Sequence, residues 1–272
     1  MLTVEASYKS DDLLLPPKKA IGHVLSVHKG YLNIAIDDGL ITLFQCGSPA
    51  VPFGIAVNMP VEWTTLELAS KQTVKIFDGK LEIDGCVTII GIDTCDGYSC
   101  LPQYTASVTN EHIAERLERL HSLCQTRVQY GGIAPYLGDY ELRDGNVIKP
   151  ANQGLGGNRL CRSFEALVAG IYQDSDFLLV EGVHGLLGLG PGLTPAGDDF
   201  LLGFLCGLVH AGTGSTANTA AKLGNLLAQD APRFTTSLSA EYLKYAGKGS
   251  YHQYVVSLIN ALKHGSDECL EE

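Results

Sequence analysis

The chain has 272 residues, 45% of them hydrophobic, and carries a formal net charge of −11. That apolar share supports a packed core and excludes a disordered chain, which needs few large apolar residues and high charge. The acidic balance argues against non-specific nucleic-acid binding, which needs clustered Lys and Arg. The longest apolar stretches, such as Phe200 to Val209, fall well short of the ~20 residues that cross a membrane.

At the start, Met1 is followed by Thr3, Glu5, Lys9 and Asp11, not by a basic start and apolar core, so no secretory signal is read and a cytoplasmic location is expected. The eight cysteines form no CxxC, and no Cys/His set has zinc-finger spacing; they are expected as reduced, structural thiols.

The first hundred residues predict β structure. Ile21–Val27, Tyr31–Ile36, Leu40–Phe44, Thr73–Phe77, Leu81–Ile83 and Cys86–Ile92 are short runs rich in Val, Ile, Thr and aromatics. Asp37-Asp38-Gly39, Asp78-Gly79-Lys80 and Asp84-Gly85 punctuate them as turns. Strands this short and close together predict hairpins in a small barrel or sandwich, not alternating βαβ units. Pro49, Pro52 and Gly54 break the pattern and mark an irregular loop.

The period changes near Thr109. Asn110 suits an N-cap, and Ile113, Leu117, Leu120 and Cys124 recur at helical spacing. A Gly/Pro/Asn-rich connection follows from Tyr130 to Asn158, with a hairpin predicted around Tyr140–Asn146 from its Asp-Gly-Asn turn. From Arg159 the chain reads as helical: Leu160, Phe164, Leu167, Val168 and Ile171 form one apolar stripe. Phe177–Leu187, Pro195–Ala211, Thr216–Gln229, Thr235–Tyr245 and Tyr251–Lys263 continue the series. The expected fold is α+β, with a β-rich domain over 1–105 and a mainly helical domain over 106–272.

The densest feature is Gly188-Leu189-Gly190-Pro191-Gly192-Leu193-Thr194-Pro195-Ala196-Gly197-Asp198-Asp199-Phe200-Leu201-Leu202-Gly203. Thr194-Pro195 is a strong helix start, with the hydroxyl as cap and Pro at the first helical position. The glycines before it free the backbone of Cβ atoms, so it can take positive φ and approach a ligand. A bare turn running into a helix N-terminus commonly binds phosphate or carboxylate.

Asp198 and Asp199 would repel such an anion unless a Mg²⁺ bridges the charges or one carboxylate works on a proton. The plain alternative is that the helix dipole favours acids in a first turn and that Gly-Pro-Gly is ordinary turn chemistry. Against it stand the glycines inside the helix, each costing about 1 kcal/mol relative to Ala. Gly203, Gly207 and Ala211 fall at four-residue spacing and predict close packing of another backbone; Gly197 is left without a packing reason.

Two further junctions pair glycine or hydroxyl groups with cations. Arg233-Phe234-Thr235-Thr236-Ser237-Leu238-Ser239 reads as a hydroxyl-rich helix start beside an arginine, a second anion contact or ordinary capping. Gly154-Leu155-Gly156-Gly157-Asn158-Arg159, with Arg162 one turn on, is the third. His184, near the main turn, reads as structural. No Gly-Lys-Ser/Thr of a Walker A loop, no Rossmann spacing after a strand and no Gly-x-Ser-x-Gly elbow is present.

The run Gly-Pro-Gly-Leu-Thr-Pro-Ala-Gly-Asp-Asp over 190–199 closely resembles the signature of the AllH-like family, bacterial proteins that include a subunit of oxamate carbamoyltransferase. Thr235-Thr236 with Ser239, Tyr242-Leu243, Ala246 and Gly249 resembles that family's downstream helix. Ser48-Pro49-Ala50-Val51-Pro52-Phe53-Gly54-Ile55 is similar to its β-rich start. The likeness spans most of the chain, with the first motif its specific part. The family's pattern continues with Ser-Gly-x-Asp-x-Leu-x-Gly, where this chain has Asp267-Glu268-Cys269-Leu270-Glu271-Glu272.

The resemblance implies a role in anaerobic allantoin breakdown, where three different subunits convert oxalurate and phosphate to oxamate and carbamoyl phosphate. On that basis Asp198 and Asp199 are the expected catalytic residues. Gly190, Gly192, Thr194, Gly197, Thr235, Thr236 and Ser239 are the expected anion contacts, and Mg²⁺ on the two aspartates is the one cofactor considered. Expected partners are a small anion and other carbamoyltransferase subunits, not nucleic acid or membrane. The competing readings are a non-catalytic anion- or nucleotide-binding subunit and a Mg²⁺-dependent phosphotransferase or hydrolase.

Overall fold

The computed structural model describes residues 2–16, 19–37, 39–103, 110–127, 133, 141–143, 146–148, 158–211 and 215–264. The fold is α+β: a β-barrel over residues 2–98 precedes a helical half. Two compact units emerge, Met1–Thr105 with Ser250–Ala261, and Ala106–Gly249 with Leu262–Glu272.

The first unit contains β1 (Leu2–Ser10), β2 (Ala20–Val27), β3 (Tyr31–Ile36), β4 (Gly39–Gln45), β5 (Gly54–Val57), β6 (Thr73–Phe77), β7 (Lys80–Ile83), β8 (Val87–Ile90) and β9 (Asp96–Tyr98). The strands run β5-β4-β3-β2-β6-β7-β8-β1, and β1 pairs with β5 to close an eight-stranded barrel, with β9 added in parallel to β1 over Tyr8–Ser10. Closure removes the sheet edges that an open sheet exposes. The period-2 patterning of β2, β6 and β7 alternates buried with more exposed residues. Leu32, Ile34, Ile41, Leu43, Ile55 and Leu81 are buried completely in this core. Register shifts at Ala6/Tyr8 and Val24/Ser26 bend β1 and β2 as a closed barrel requires.

Two strands depart from the sequence expectation. β1 pairs in parallel with β8 (Leu2↔Val87 to Glu5↔Ile90), a long-range contact with no local turn to announce it. β5 starts at Gly54, the last residue of the stretch read as an irregular loop, and is not among the expected strands. It pairs in parallel with β4 (Thr42↔Gly54), so the Pro-containing segment before it must run back along the barrel. That segment is held by Tyr31 Oη on Pro49 O at 3.1 Å and Tyr98 Oη on Val51 O at 2.6 Å. Gln253 adds two bonds, its N donating to Ala50 O and its Oε1 accepting from Ala50 N.

The second unit contains α1 (Asn110–Arg127), the antiparallel pair β10 (Glu141–Arg143) and β11 (Asn146–Ile148), α2 (Asn158–Tyr172), α3 (Asp176–Leu186), α4 (Ala196–Ala211), α5 (Ser215–Phe234) and α6 (Ser237–Ala246). Helix α7 (Gln253–His264) crosses from the first unit's residues into the second's. Asp144 and Gly145 of the predicted hairpin, the glycines at 154–157 and the segment 267–272 lie outside the described residues. Leu167, Val183, Leu186, Leu201, Leu205, Leu223, Leu227 and Leu243 are fully buried and form the helical core. None of the six cysteines with described surroundings is in a disulfide. No helix among the described residues is long and apolar enough to cross a membrane.

Helices α2 and α3 pack antiparallel at backbone distance. A Cβ at Gly170 would lie 2.6 Å from Leu179 N, one at Gly182 would lie 2.6 Å from Leu167 Cα, and one at Gly185 would lie 2.7 Å from Ser163 Cβ. These glycines therefore set the register of the hairpin that delivers the chain into the glycine-rich turn.

Candidate functional site

The turn from Gly188 to Pro195 joins the C-terminus of α3 to the N-terminus of α4. Gly188, Gly190 and Gly192 take positive φ of 68°, 115° and 102°, the left-handed region that side chains disfavour. Gly188 also comes close to the end of α5, where an added Cβ would strike Phe234 O. Helix α4 begins at Ala196, one residue later than Thr194-Pro195 predicts: Pro195 O accepts from Asp198 N at 2.9 Å and Asp199 N at 3.1 Å, so Pro195 occupies the cap. Thr194 is exposed, and its hydroxyl has no partner among the described residues.

Gly197 has a packing reason that the sequence does not reveal. Its N donates to Leu189 O at 2.8 Å, and an added Cβ would run into Leu186 O and lie 2.8 Å from Leu189 Cβ. Gly203 and Gly207, expected to admit a neighbouring backbone, instead face open space and are exposed. The tight glycine and the loose ones have exchanged places relative to the sequence expectation.

The two aspartates have separate environments. Asp198 is buried, with 1% exposure. Its Oδ1 accepts from Gly188 N at 2.8 Å, and its Oδ2 accepts from Ser239 Oγ at 2.7 Å and from Thr235 Oγ1. Three of the roughly four acceptor positions of a carboxylate are thereby filled. Thr236 caps α6 by accepting from Ser239 N at 3.1 Å and donates its hydroxyl to Leu193 O at 2.5 Å. The Asp198, Thr235, Thr236 and Ser239 side chains thus tie both ends of the turn to the start of α6. Arg233 belongs to the preceding element: α5 runs to Phe234 with Pro232 inside its last turn, and α6 starts only after the Thr236 cap.

Asp199 follows it in the first turn of α4. Its residue is exposed, yet partial burial and the neighbouring Asp198 charge raise its carboxyl from an ordinary 3.8 to about 6. In the turn itself, the N–H groups of Gly190, Gly192, Leu193, Thr194 and Ala196 meet no acceptor among the described residues. Exposed Leu193 and Phe234 border the same turn. His184 Nε2 lies 2.6 Å from Asp230 Oδ2, and its ring stacks on Phe234 with centroids 4.4 Å apart. That pair pins α3 to α5, in keeping with the structural reading of His184. No cluster of three or more His, Cys, Asp or Glu side chains that could hold a metal occurs among the described residues.

A β-barrel followed by a helical unit with a hydroxyl-clamped glycine turn is the architecture on which the comparisons with known proteins bear. The family model described as oxamate carbamoyltransferase subunit AllH matches residues 186–272, and the AllH family N-terminal domain matches residues 5–95. The chain belongs to the AllH family. Among curated proteins and among solved structures nothing matches it.

Proposed function

We propose that this chain is the subunit of an oxamate carbamoyltransferase that holds a small anion on the open N–H groups of the 188–195 turn and uses Asp199 to move a proton. The ligand is drawn from oxalurate, oxamate, phosphate and carbamoyl phosphate, within cytoplasmic allantoin degradation. The observation that carries this reading is the division of labour between the aspartates. Asp198 is consumed by three internal hydrogen bonds, while Asp199 stays exposed with its carboxyl near 6, in the first turn of the helix that the glycine turn leads into.

In the oxalurate-consuming direction, a phosphate oxygen attacks the carbamoyl carbon and a C–O bond forms. The tetrahedral oxyanion is stabilised by backbone N–H groups of Gly190, Gly192 and Leu193. The C–N bond then breaks, and oxamate leaves as its nitrogen takes a proton. Asp199 accepts the phosphate proton and returns it to that nitrogen, so no net proton is gained or lost. A carboxyl near 6 suits both transfers. Thr235 and Ser239 serve by holding Asp198, and Thr236 by holding Leu193. Mg²⁺ bound by both aspartates fits less well, because three of the roughly four acceptor positions of Asp198 are filled from within the chain.

The test is carbamoyl transfer by the assembly reconstituted with its partner subunits, comparing wild type with Asp199→Asn. A kcat lowered a hundredfold or more with KM changed only a few-fold supports the proton role. Full kcat with a raised KM would instead establish the non-catalytic binding subunit.

A further inference from the structure

The geometry points to Arg159 as an oxyanion clamp facing the 188–195 turn, an assignment that rests on the anion reading of that turn. The α2–α3 hairpin sets the position. Gly170 lies against Leu179, Leu167 against Gly182 and Ser163 against Gly185. One further helical turn toward the start of α2 brings Arg159 level with Leu189, inside the glycine turn.

A hydrogen bond fixes that placement independently. Arg159 Nε donates to Gly185 O at 3.0 Å. Carbonyls at the end of a helix point along its axis past its C-terminus, so Gly185 O points toward the turn, and the guanidinium bound to it sits there. The bond uses Nε alone. Arg159 is exposed, and its two Nη groups meet no acceptor among the described residues.

A guanidinium tethered at Nε presents its two Nη groups as a planar fork, the shape that grips two oxygens of a phosphoryl or carboxylate group. The same end of the hairpin brings the N-terminus of α2, which starts at Asn158, beside the turn. The N-termini of α4 and α6 are already there, through Pro195 and through the Thr236–Leu193 bond. The starts of α4 and α6 thus meet the turn directly, and the register of the hairpin sets the start of α2 and the Arg159 cation toward its Leu189 end, so that their positive charge would offset the acidic pair. The plain alternative is that Arg159 only caps the last carbonyls of α3. Capping accounts for the Nε bond and does not engage the two Nη groups, which meet no acceptor among the described residues.

The test is calorimetric titration of the full chain with inorganic phosphate and, separately, with oxamate, for wild type, Arg159→Gln and Arg159→Lys. The expected result is saturable binding by wild type, a Kd raised at least tenfold in Arg159→Gln and an intermediate rise in Arg159→Lys, which keeps the charge but not the fork. The anion whose Kd moves identifies the end of the substrate that is gripped. Wild-type affinity in Arg159→Gln, accompanied by a lower melting temperature, would overturn the clamp and leave capping. A wild-type chain that binds neither anion would overturn the anion reading of the turn and this assignment with it.

Discussion

Asp198 and Ser239 meet at 2.7 Å inside the helical unit, both closed to water, although 41 positions separate them in the chain. Thr235 and the backbone of Gly188 complete the contact, so one carboxylate joins the turn, the start of α4 and the start of α6. Hydrogen bonds to a charged group contribute about 1.5–3 kcal/mol each, and leaving their donors buried and unpaired costs more than the bonds themselves return.

Asp198→Ala is therefore expected to lower unfolding free energy by about 3–5 kcal/mol, as when one partner of a buried charge network is removed. Ser239→Ala should cost about 1–3 kcal/mol. Urea unfolding of each variant and of the Thr235→Val/Ser239→Ala pair checks this. A strictly additive pair would show that the hydroxyls do not share the Asp198 carboxylate.

Glycine substitutions separate the packed from the open positions of α4. Gly197→Ala puts a methyl group into the Leu186 carbonyl and should cost about 1–3 kcal/mol. Gly203→Ala, on the open face of the same helix, should stabilise by up to about 1 kcal/mol. Melting temperatures of the two variants moving in opposite directions is the expected outcome.

Asp199 gives stability a pH signature. Its folded value near 6 lies above the ordinary 3.8, so the native state holds this proton more tightly than the unfolded chain does. The stability this group contributes is full below about 3.8 and is lost as pH rises through about 6. Asp199→Asn removes the titration. Urea midpoints at pH 4, 5, 6 and 7 should show wild type losing stability relative to the variant across that window, and a constant difference would count against the raised value.

In the barrel unit, Tyr98→Phe removes the hydroxyl that reaches Val51 O at 2.6 Å and Gly54 O at 3.2 Å. The loss should be about 1–2 kcal/mol, read as a lower urea midpoint at unchanged slope.

The parts of this protein legible in its sequence are those coded locally. Alternating Val/Ile/Thr runs between Asp-Gly turns place β2 to β4 and β6 to β8, and 3.6-residue periodicity places the helices. What escapes is what depends on distant partners. The parallel β1–β8 pairing has no turn to signal it, and β5 is masked by Pro52 and Gly54, whose usual meaning is loop. The residue types of the site stand out in the sequence, but their roles do not. Nothing local tells Asp198, enclosed by α6, from Asp199, its exposed neighbour. Gly197 and Gly203 differ only in what stands opposite each, which neither the spacing nor the composition of α4 encodes.

The central claim is that the 188–195 turn binds a small anion through its open backbone donors. It is tested most directly by titrating carbamoyl phosphate into ¹⁵N-labelled protein and following amide resonances. Saturable shifts are expected at Gly190, Gly192, Leu193, Thr194 and Ala196, with much smaller ones at Gly188 and Gly197, whose N–H groups are bonded to Asp198 and Leu189. Shifts confined to other parts of the chain, or none at saturating ligand, would contradict it.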